Sequence, residues 1–153
     1  GKAVPQVRRV LVATDFSKLG NRAIPYAYAA LRRGGEVCLV HVVPPRSHLG
    51  AKSEHLENRR ATRDERLSAS LRKLIPSQAE ALGLRSNVEI VEHPSPAIAI
   101  AQAAERFGAN LICLSSRGRS GLAKAILGSV ARAVMARSKR PVLVIRPSDG
   151  SIA

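Results

Sequence analysis

The sequence predicts an α/β fold: an open five-stranded parallel sheet with helices on both faces, Rossmann-like in its winding. Short apolar runs alternate with longer helical stretches in the order β-α-β-α-β-α-β-α-β, without repeats or low-complexity segments, and that alternation implies parallel strands joined by right-handed crossovers. The run 37–43 is almost wholly apolar, as a strand covered on both faces must be. Hydrophobic content is 45% but aromatic content only 3%, so the core must be built from Ala, Val, Ile and Leu, which suits helices packed on such a sheet. A length of 153 residues fits one domain over 1–153, with an ordered core of about 6–147.

Val7–Ala13 reads as the first strand, ending at Thr14-Asp15-Phe16-Ser17. Ala23, Ile24, Ala27, Ala30 and Leu31 then recur at helical spacing, which predicts a helix over Lys18–Arg33 with Pro25 in or near its first turn. Gly34-Gly35 is expected to end it with a left-handed cap. Val37–Val43 is the second strand, stopped by Pro44-Pro45. A polar stretch over 46–53 reads as a surface loop. Glu54–Ile75 carries Leu56, Leu67, Leu71, Leu74 and Ile75 on one face of a long charged helix. Pro76 interrupts it, and a further helical turn or two is expected to Leu82, capped by Gly83. Asn87–Glu92 alternates apolar and polar residues like a half-covered or edge strand. Pro96–Phe107 reads as a helix closed by Gly108, Leu111–Leu114 as the fourth strand, Ser129–Ser138 as the fourth helix and Val142–Ile145 as the fifth strand.

Charge and composition narrow the function. The net charge of +14 and isoelectric point near 11.3 favour polyanions of any kind. Readers of single-stranded nucleic acid interleave aromatic stacking platforms with basic residues, whereas Phe16, Phe107, Tyr26 and Tyr28 are scattered, so specific nucleic-acid recognition is not expected. The apolar runs fall short of the ~20 residues that cross a bilayer. Cys38 and Cys113 each lie inside an apolar run without a CxxC or Cys/His cluster, and read as small buried hydrophobes. These features make the cytoplasm the expected compartment.

The most informative stretch runs from Leu111 to Arg146. An apolar strand stops at a glycine-bearing polar loop, and the loop leads to Gly128-Ser129 at the start of a helix. Free amides in a first helical turn, together with the helix dipole, hold anions. No carboxylate occurs between Arg106 and Ser148, while Lys and Arg recur throughout, and a phosphate-bearing ligand follows. Gly118 permits positive φ and close backbone approach, Ser129 can cap its helix, and the amides of Ser129, Val130 and Ala131 are the orphan donors. Ser115, Ser116, Arg117 and Arg119 complete the loop's polar lining. In open sheets of this class ligands bind beyond the carboxyl ends of the strands, where the strand order reverses. Asp15, at the end of the first strand, can therefore accept from a ribose hydroxyl or an adenine amine. Equally, Asp15 or Ser17 can cap the first helix. Neither GxxxxGK[ST] nor GxGxxG is present, and no general base, catalytic histidine or carboxylate pair accompanies the loop. His41 lies in an apolar strand and reads as a structural histidine, and His93 sits beside a proline turn.

VLVATDFS at the first strand, LVHVVPP at the second and SSRGRSGLAKAILGSVARAVMARSKRPVLVIRP near the end resemble the universal stress protein family over essentially the whole chain. The family signature is G-x2-G-x9-G-[ST]. Gly118, Gly128 and Ser129 meet it, and Ser115 stands at the first glycine. The resemblance implies the adenine nucleotide alpha-hydrolase-like fold, and ATP bound by the loop and the following helix start, with Mg2+ or Mn2+ held by the phosphates. It also implies an adenosine end at Asp15 and Val42, with Ala13 and Thr14 completing the strand-end segment. At Ser115 it puts backbone against the ligand, although the hydroxyl could itself donate to ribose or phosphate. The expected function is a regulatory domain in stress response that senses nucleotide, with at most slow hydrolysis and no catalytic residue. The family's other branch implies the alternative, a dimeric scaffold of the same fold with a degenerate pocket. An apolar last strand at a sheet edge, together with the resemblance, predicts a homodimer through Val142–Ile145.

Overall fold

The computed structural model describes residues 2–45, 53–117 and 127–147. Ten elements follow in the order β1 (Arg9–Ala13), α1 (Lys18–Asn21), α2 (Ala23–Ala30), β2 (Glu36–Val43), α3 (Ser53–Arg72), β3 (Arg85–Glu92), α4 (Pro96–Phe107), β4 (Leu111–Ser115), α5 (Ser129–Arg137) and β5 (Val142–Ile145). The five strands form one parallel sheet in the order β3-β2-β1-β4-β5. The order reverses between β1 and β4, so the loops after these two strands diverge and leave a crevice at the carboxyl edge. The half-covered strand over 87–92 belongs to β3, which is indeed an edge strand.

Strand alternation builds two apolar layers. Val10 and Val12 of β1, with Val37 and Leu39 of β2, pack under Ala23, Ile24, Ala27 and Tyr28 of α2 and Leu71 of α3. Leu11, Val40, Ile112 and Leu114 face the other way, against Ala97, Ile100, Ala103 and Ala104 of α4 and Ala131 and Val134 of α5. The alanines let helix backbones approach the sheet closely. Full burial of each Leu, Ile or Val stabilises the fold by about 1.5–3 kcal/mol, so the stability resides in the layers that hold the carboxyl ends of β1 and β4 in register.

Two features of the predicted 18–33 helix are corrected. It is two helices, because Pro25 has no N–H to give Asn21 and its ring would strike that carbonyl in a continuous helix. The chain bends at Arg22, whose N–H goes to the carbonyls of Leu19 and Gly20, and Pro25 falls in the first turn of α2. The second helix also ends at Ala30. Leu31 is extended, and the N–H of Arg32 bonds to the Val7 carbonyl instead of continuing the helix. Gly34 does take positive φ (83°), but in the following turn, where its N–H donates to Gly83, rather than as the helix cap. Similarly, α3 ends at Arg72, while the turn or two expected before Leu82 is present as successive hydrogen-bonded turns over 77–83, with Gly83 at φ 70°. Gly108, at φ 70°, is the left-handed cap of α4.

Candidate functional site

A cleft of about 270 Å3 opens at the β1/β4 divergence. Ala13, Thr14, Asp15, Val42, Ser115, Ser116, Arg117, Gly128, Ser129, Val130 and Ala131 all line it. Gly118 and Arg119 lie outside the described residues. One cleft therefore gathers every described candidate residue, from segments more than a hundred positions apart in the chain.

The β1 side is a tight polar turn. Ser17, not Asp15, caps α1: its Oγ accepts the N–H of Gly20 at 2.9 Å. Asp15 braces that cap, its Oδ1 accepting from the Ser17 N–H (2.9 Å) and the Ser17 hydroxyl (2.5 Å). Thr14 Oγ1 donates to Asn21 Oδ1 at 2.6 Å and accepts from the N–H of Phe16 at 3.0 Å. These bonds hold Phe16 at φ 66°, a left-handed conformation that costs a non-glycine residue roughly 1–2 kcal/mol. The hydrogen bonds from Ser17 fix where Asp15 sits in the cleft lining. Gly20 completes the turn, since a Cβ there would lie 2.4 Å from Asp15 Oδ1.

At the end of β2 the main chain itself is exposed to the cleft. Val40 turns its peptide groups toward β1, where its carbonyl accepts the N–H of Thr14 at 3.0 Å, and β1 pairing ends there. Alternate residues of a strand direct their peptide groups to the same side, so Val42 presents N–H and C=O past the end of β1. His41 is anchored by Nδ1, which donates to the Thr14 carbonyl at 2.8 Å, and by its ring against Phe16 at 4.5 Å. It is the structural histidine expected, yet it also lines the cleft.

The β4 side carries a helix start. Gly128, not Ser129, is the N-cap of α5 and offers no side-chain acceptor. Ser129 is the first helical residue instead. The amides of Ser129, Val130 and Ala131 thus lack intrahelical partners at the positive end of the helix dipole. Gly128 is pressed against the preceding loop: its N–H donates to the Ser116 carbonyl at 2.6 Å, and a Cβ would lie 2.9 Å from that oxygen. The hydroxyl of Ser116 is buried, with the residue 5% exposed, and has no hydrogen-bond partner among the described residues. A buried hydroxyl left unpaired costs about 1–3 kcal/mol, a cost that a polar partner would relieve. Ser115 uses its hydroxyl otherwise. It donates to the carbonyl of Leu19 and lies 3.3 Å from that of Gly20, which ties β4 to α1.

Beyond the candidates named from the sequence, Gly20, His41, Pro96, Ile100 and Leu114 also line the cleft. Pro96 and Ile100 come from the start of α4, which the strand order brings over the crevice. The short spacing between Asp15 and Gly20 was the available signal for the glycine. Among the described residues, no group of three or more His, Cys, Asp or Glu could hold a metal ion. Burial pushes the thiols of Cys38 and Cys113 up to about 12, which leaves both inert as nucleophiles. No helix among the described residues is long and apolar enough to cross a membrane.

The sequence matches the model of the Universal stress protein family over residues 6–146. It is 26% identical over 154 residues to Universal stress protein MJ0577 of Methanocaldococcus jannaschii, covering 91% of this chain and 94% of that one. The universal stress protein in the QAH/OAS sulfhydrylase 3' region of Thermus aquaticus is 33% identical over 142 residues, with coverage of 91% and 98%. The solved MJ0577 structure superposes with a TM-score of 0.79 over 95% of this chain and 99% of that chain, at 26% identity. Two ligand complexes share the fold at lower identity. One is a universal stress protein with cAMP (22%, TM-score 0.64, 94% and 100% coverage). The other is the Archaeoglobus fulgidus universal stress protein with dAMP (23%, TM-score 0.61, 94% and 100% coverage).

Proposed function

The chain belongs to the universal stress protein family, and from that premise we propose that it is a nucleotide-binding regulatory domain that holds ATP in the β1/β4 cleft. The observation that carries this reading is the partnerless Ser116 hydroxyl beside the uncapped amides of Ser129, Val130 and Ala131. They form a polar cradle that fits phosphate oxygens and is satisfied by nothing else described there. The cAMP and dAMP complexes of related folds support an adenine nucleotide as the occupant.

In this reading the paired N–H and C=O of Val42 meet the adenine edge, which offers an acceptor beside an amine donor. Asp15 accepts from ribose, with Ala13 and Thr14 forming the wall. Ser116, Arg117 and the α5 amides take the phosphates, joined by Gly118 and Arg119. A divalent cation, Mg2+ or Mn2+, is carried by the phosphates, which supply its hard oxygen ligands. The domain senses nucleotide rather than consuming it. Asp15 is engaged with Ser17 and His41 with the Thr14 carbonyl, which leaves positioning without a ready base for water. It acts in the cytoplasm as a homodimer. A second reading, a dimeric scaffold with an unused cleft, draws on the apolar edge strand β5, where Leu143 is 38% exposed. Protein purified without added nucleotide and then denatured separates the two: an adenine absorbance in the supernatant supports the first, and its absence from a folded preparation that also takes up no ATP supports the second.

A further inference from the structure

The charge on α3 is sorted around the helix. At 3.6 residues per turn, His55, Arg59, Thr62, Arg66 and Lys73 fall on one stripe, with Asn58 and Ala69 beside it. Lys73 lies just past Arg72, but its N–H still donates to the Ala69 carbonyl at 3.2 Å. Leu56, Arg63, Leu67 and Leu71 fall on the side toward the sheet. No carboxylate falls on the stripe: Glu57 and Asp64 occupy the far side, and Glu54 and Glu65 flank it. The stripe is exposed throughout, and His55, Asn58, Arg59, Thr62, Arg63 and Arg66 line a shallow cleft of about 330 Å3.

Two acids near this surface, Asp64 and Glu92, are engaged by other arginines. Arg63 is 8% exposed and contacts Asp64 at 3.0 Å and Glu92 of β3 at 3.3 Å. Arg60 shares Glu92 at 3.6 Å. Among the described residues, no ion pair involves Arg59, Arg66 or Lys73. At ~1.5 Å per residue these three cations stand about 10 Å apart along the helix axis, so they form a straight row on a molecule of net charge +14.

We propose that the Arg59–Arg66–Lys73 row of α3 is a sequence-blind docking surface for the phosphate backbone of nucleic acid, separate from the β1/β4 cleft. A linear polyanion matches a linear row of cations that forms no ion pair among the described residues. The row contains no aromatic residue to stack bases, so contact is to backbone, and affinity arises from counterion release.

The test is fluorescence anisotropy with a labelled oligothymidine single strand, titrated with the full chain at several salt concentrations. The parent binds at low salt, and binding weakens steeply as salt rises. In the triple variant Arg59→Ala/Arg66→Ala/Lys73→Ala, the slope of log affinity against log salt falls by about 2, at ~0.7 for each phosphate no longer neutralised. A control triple of equal charge, Arg8→Ala/Arg32→Ala/Arg33→Ala at the amino end of the sheet, leaves the slope within about 0.5 of the parent. Equal effects of the two triples would reduce the phenomenon to net charge and overturn the proposal, as would a parent that does not bind at low salt. Poly-glutamate competing as well as unlabelled oligothymidine at equal charge would identify an acidic-protein surface and overturn it too. ATP titration in the α3 triple is expected to match the parent, and a joint loss of ATP binding would contradict the separateness of the two sites.

Discussion

The hydroxyl of Ser115 donates to the main-chain carbonyl of Leu19, linking the end of β4 to the helix that follows β1. The two arms of the cleft are thereby tied across the switch point by a side chain that stands where the resemblance puts the first glycine of the G-x2-G-x9-G-[ST] pattern. The link makes Ser115 a positioning residue. Ser115→Gly is expected to lower stability by about 1–2 kcal/mol, through the missing hydrogen bond and a looser unfolded chain. ATP affinity is expected to change by less than about threefold, under 0.7 kcal/mol. Denaturant melts and calorimetry on the same preparation separate the two quantities. A tenfold loss of affinity in a stably folded variant would instead make the hydroxyl a ligand contact.

Gly20 is the next site of interest, because a methyl there collides with Asp15 Oδ1 at 2.4 Å and crowds Ser17 and Thr14 at 3.1 Å. Gly20→Ala should displace Asp15 and undo the Ser17 cap. A stability loss of about 1–3 kcal/mol is expected, together with weaker binding of ATP. If the variant melts and binds like the parent, the turn is softer than its packing indicates.

The two thiols carry a pH prediction. Each is raised from an ordinary 9.0 to about 12 in the folded chain, so the unfolded state loses its thiol protons first as pH rises. Their contribution is fully present below pH 9 and is lost between pH 9 and about 12. Stability should therefore decline over that window. The decline should be shallower in Cys38→Ala/Cys113→Ala, after allowance for the cavities left. Alkylation at pH 8 should label neither thiol without denaturant, and rapid labelling of the native chain would show that they are not buried.

Assembly through β5 predicts a further effect. Leu143→Arg puts a charge on the exposed apolar edge, and should raise the dimer dissociation constant at least about tenfold in sedimentation equilibrium. A parent that sediments as a monomer at every concentration would rule out the dimer.

Much of this molecule was legible in its sequence where local and tertiary signals agree. Pro96–Phe107 has a serine before it, a proline at its first position and Gly108 after it, and its limits emerge as predicted. Val142–Ile145 is equally well bounded. Lys18–Arg33 reads as one helix because its apolar spacing is continuous. The break at Arg22 and the early end at Ala30 depend on the Asn21 carbonyl meeting Pro25 and on Arg32 reaching Val7, neither of which periodicity encodes. In the cleft, charge and glycine spacing marked the loop after β4, and a carboxylate at a strand end, Asp15, marked the loop after β1. The roles of Gly20, His41 and Ile100 follow from strand order and packing instead. The Ser115–Leu19 link joins residues too far apart in sequence for any local pattern to reveal.

The proposed nucleotide binding rests on the amides of Ser129, Val130 and Ala131 and the Ser116 hydroxyl, which would form a phosphate cradle shaped by Gly128. Isothermal titration of the parent and Gly128→Val with ATP, with and without Mg2+, puts that dependence to the test. A side chain at 128 would lie 2.9 Å from the Ser116 carbonyl and force the loop off the helix start. The parent should bind one ATP per chain, and a folded Gly128→Val should bind at least about tenfold more weakly, a loss of roughly 1.4 kcal/mol or more. Equal affinity of the two proteins for ATP, or no binding by a nucleotide-free, folded parent, would contradict it.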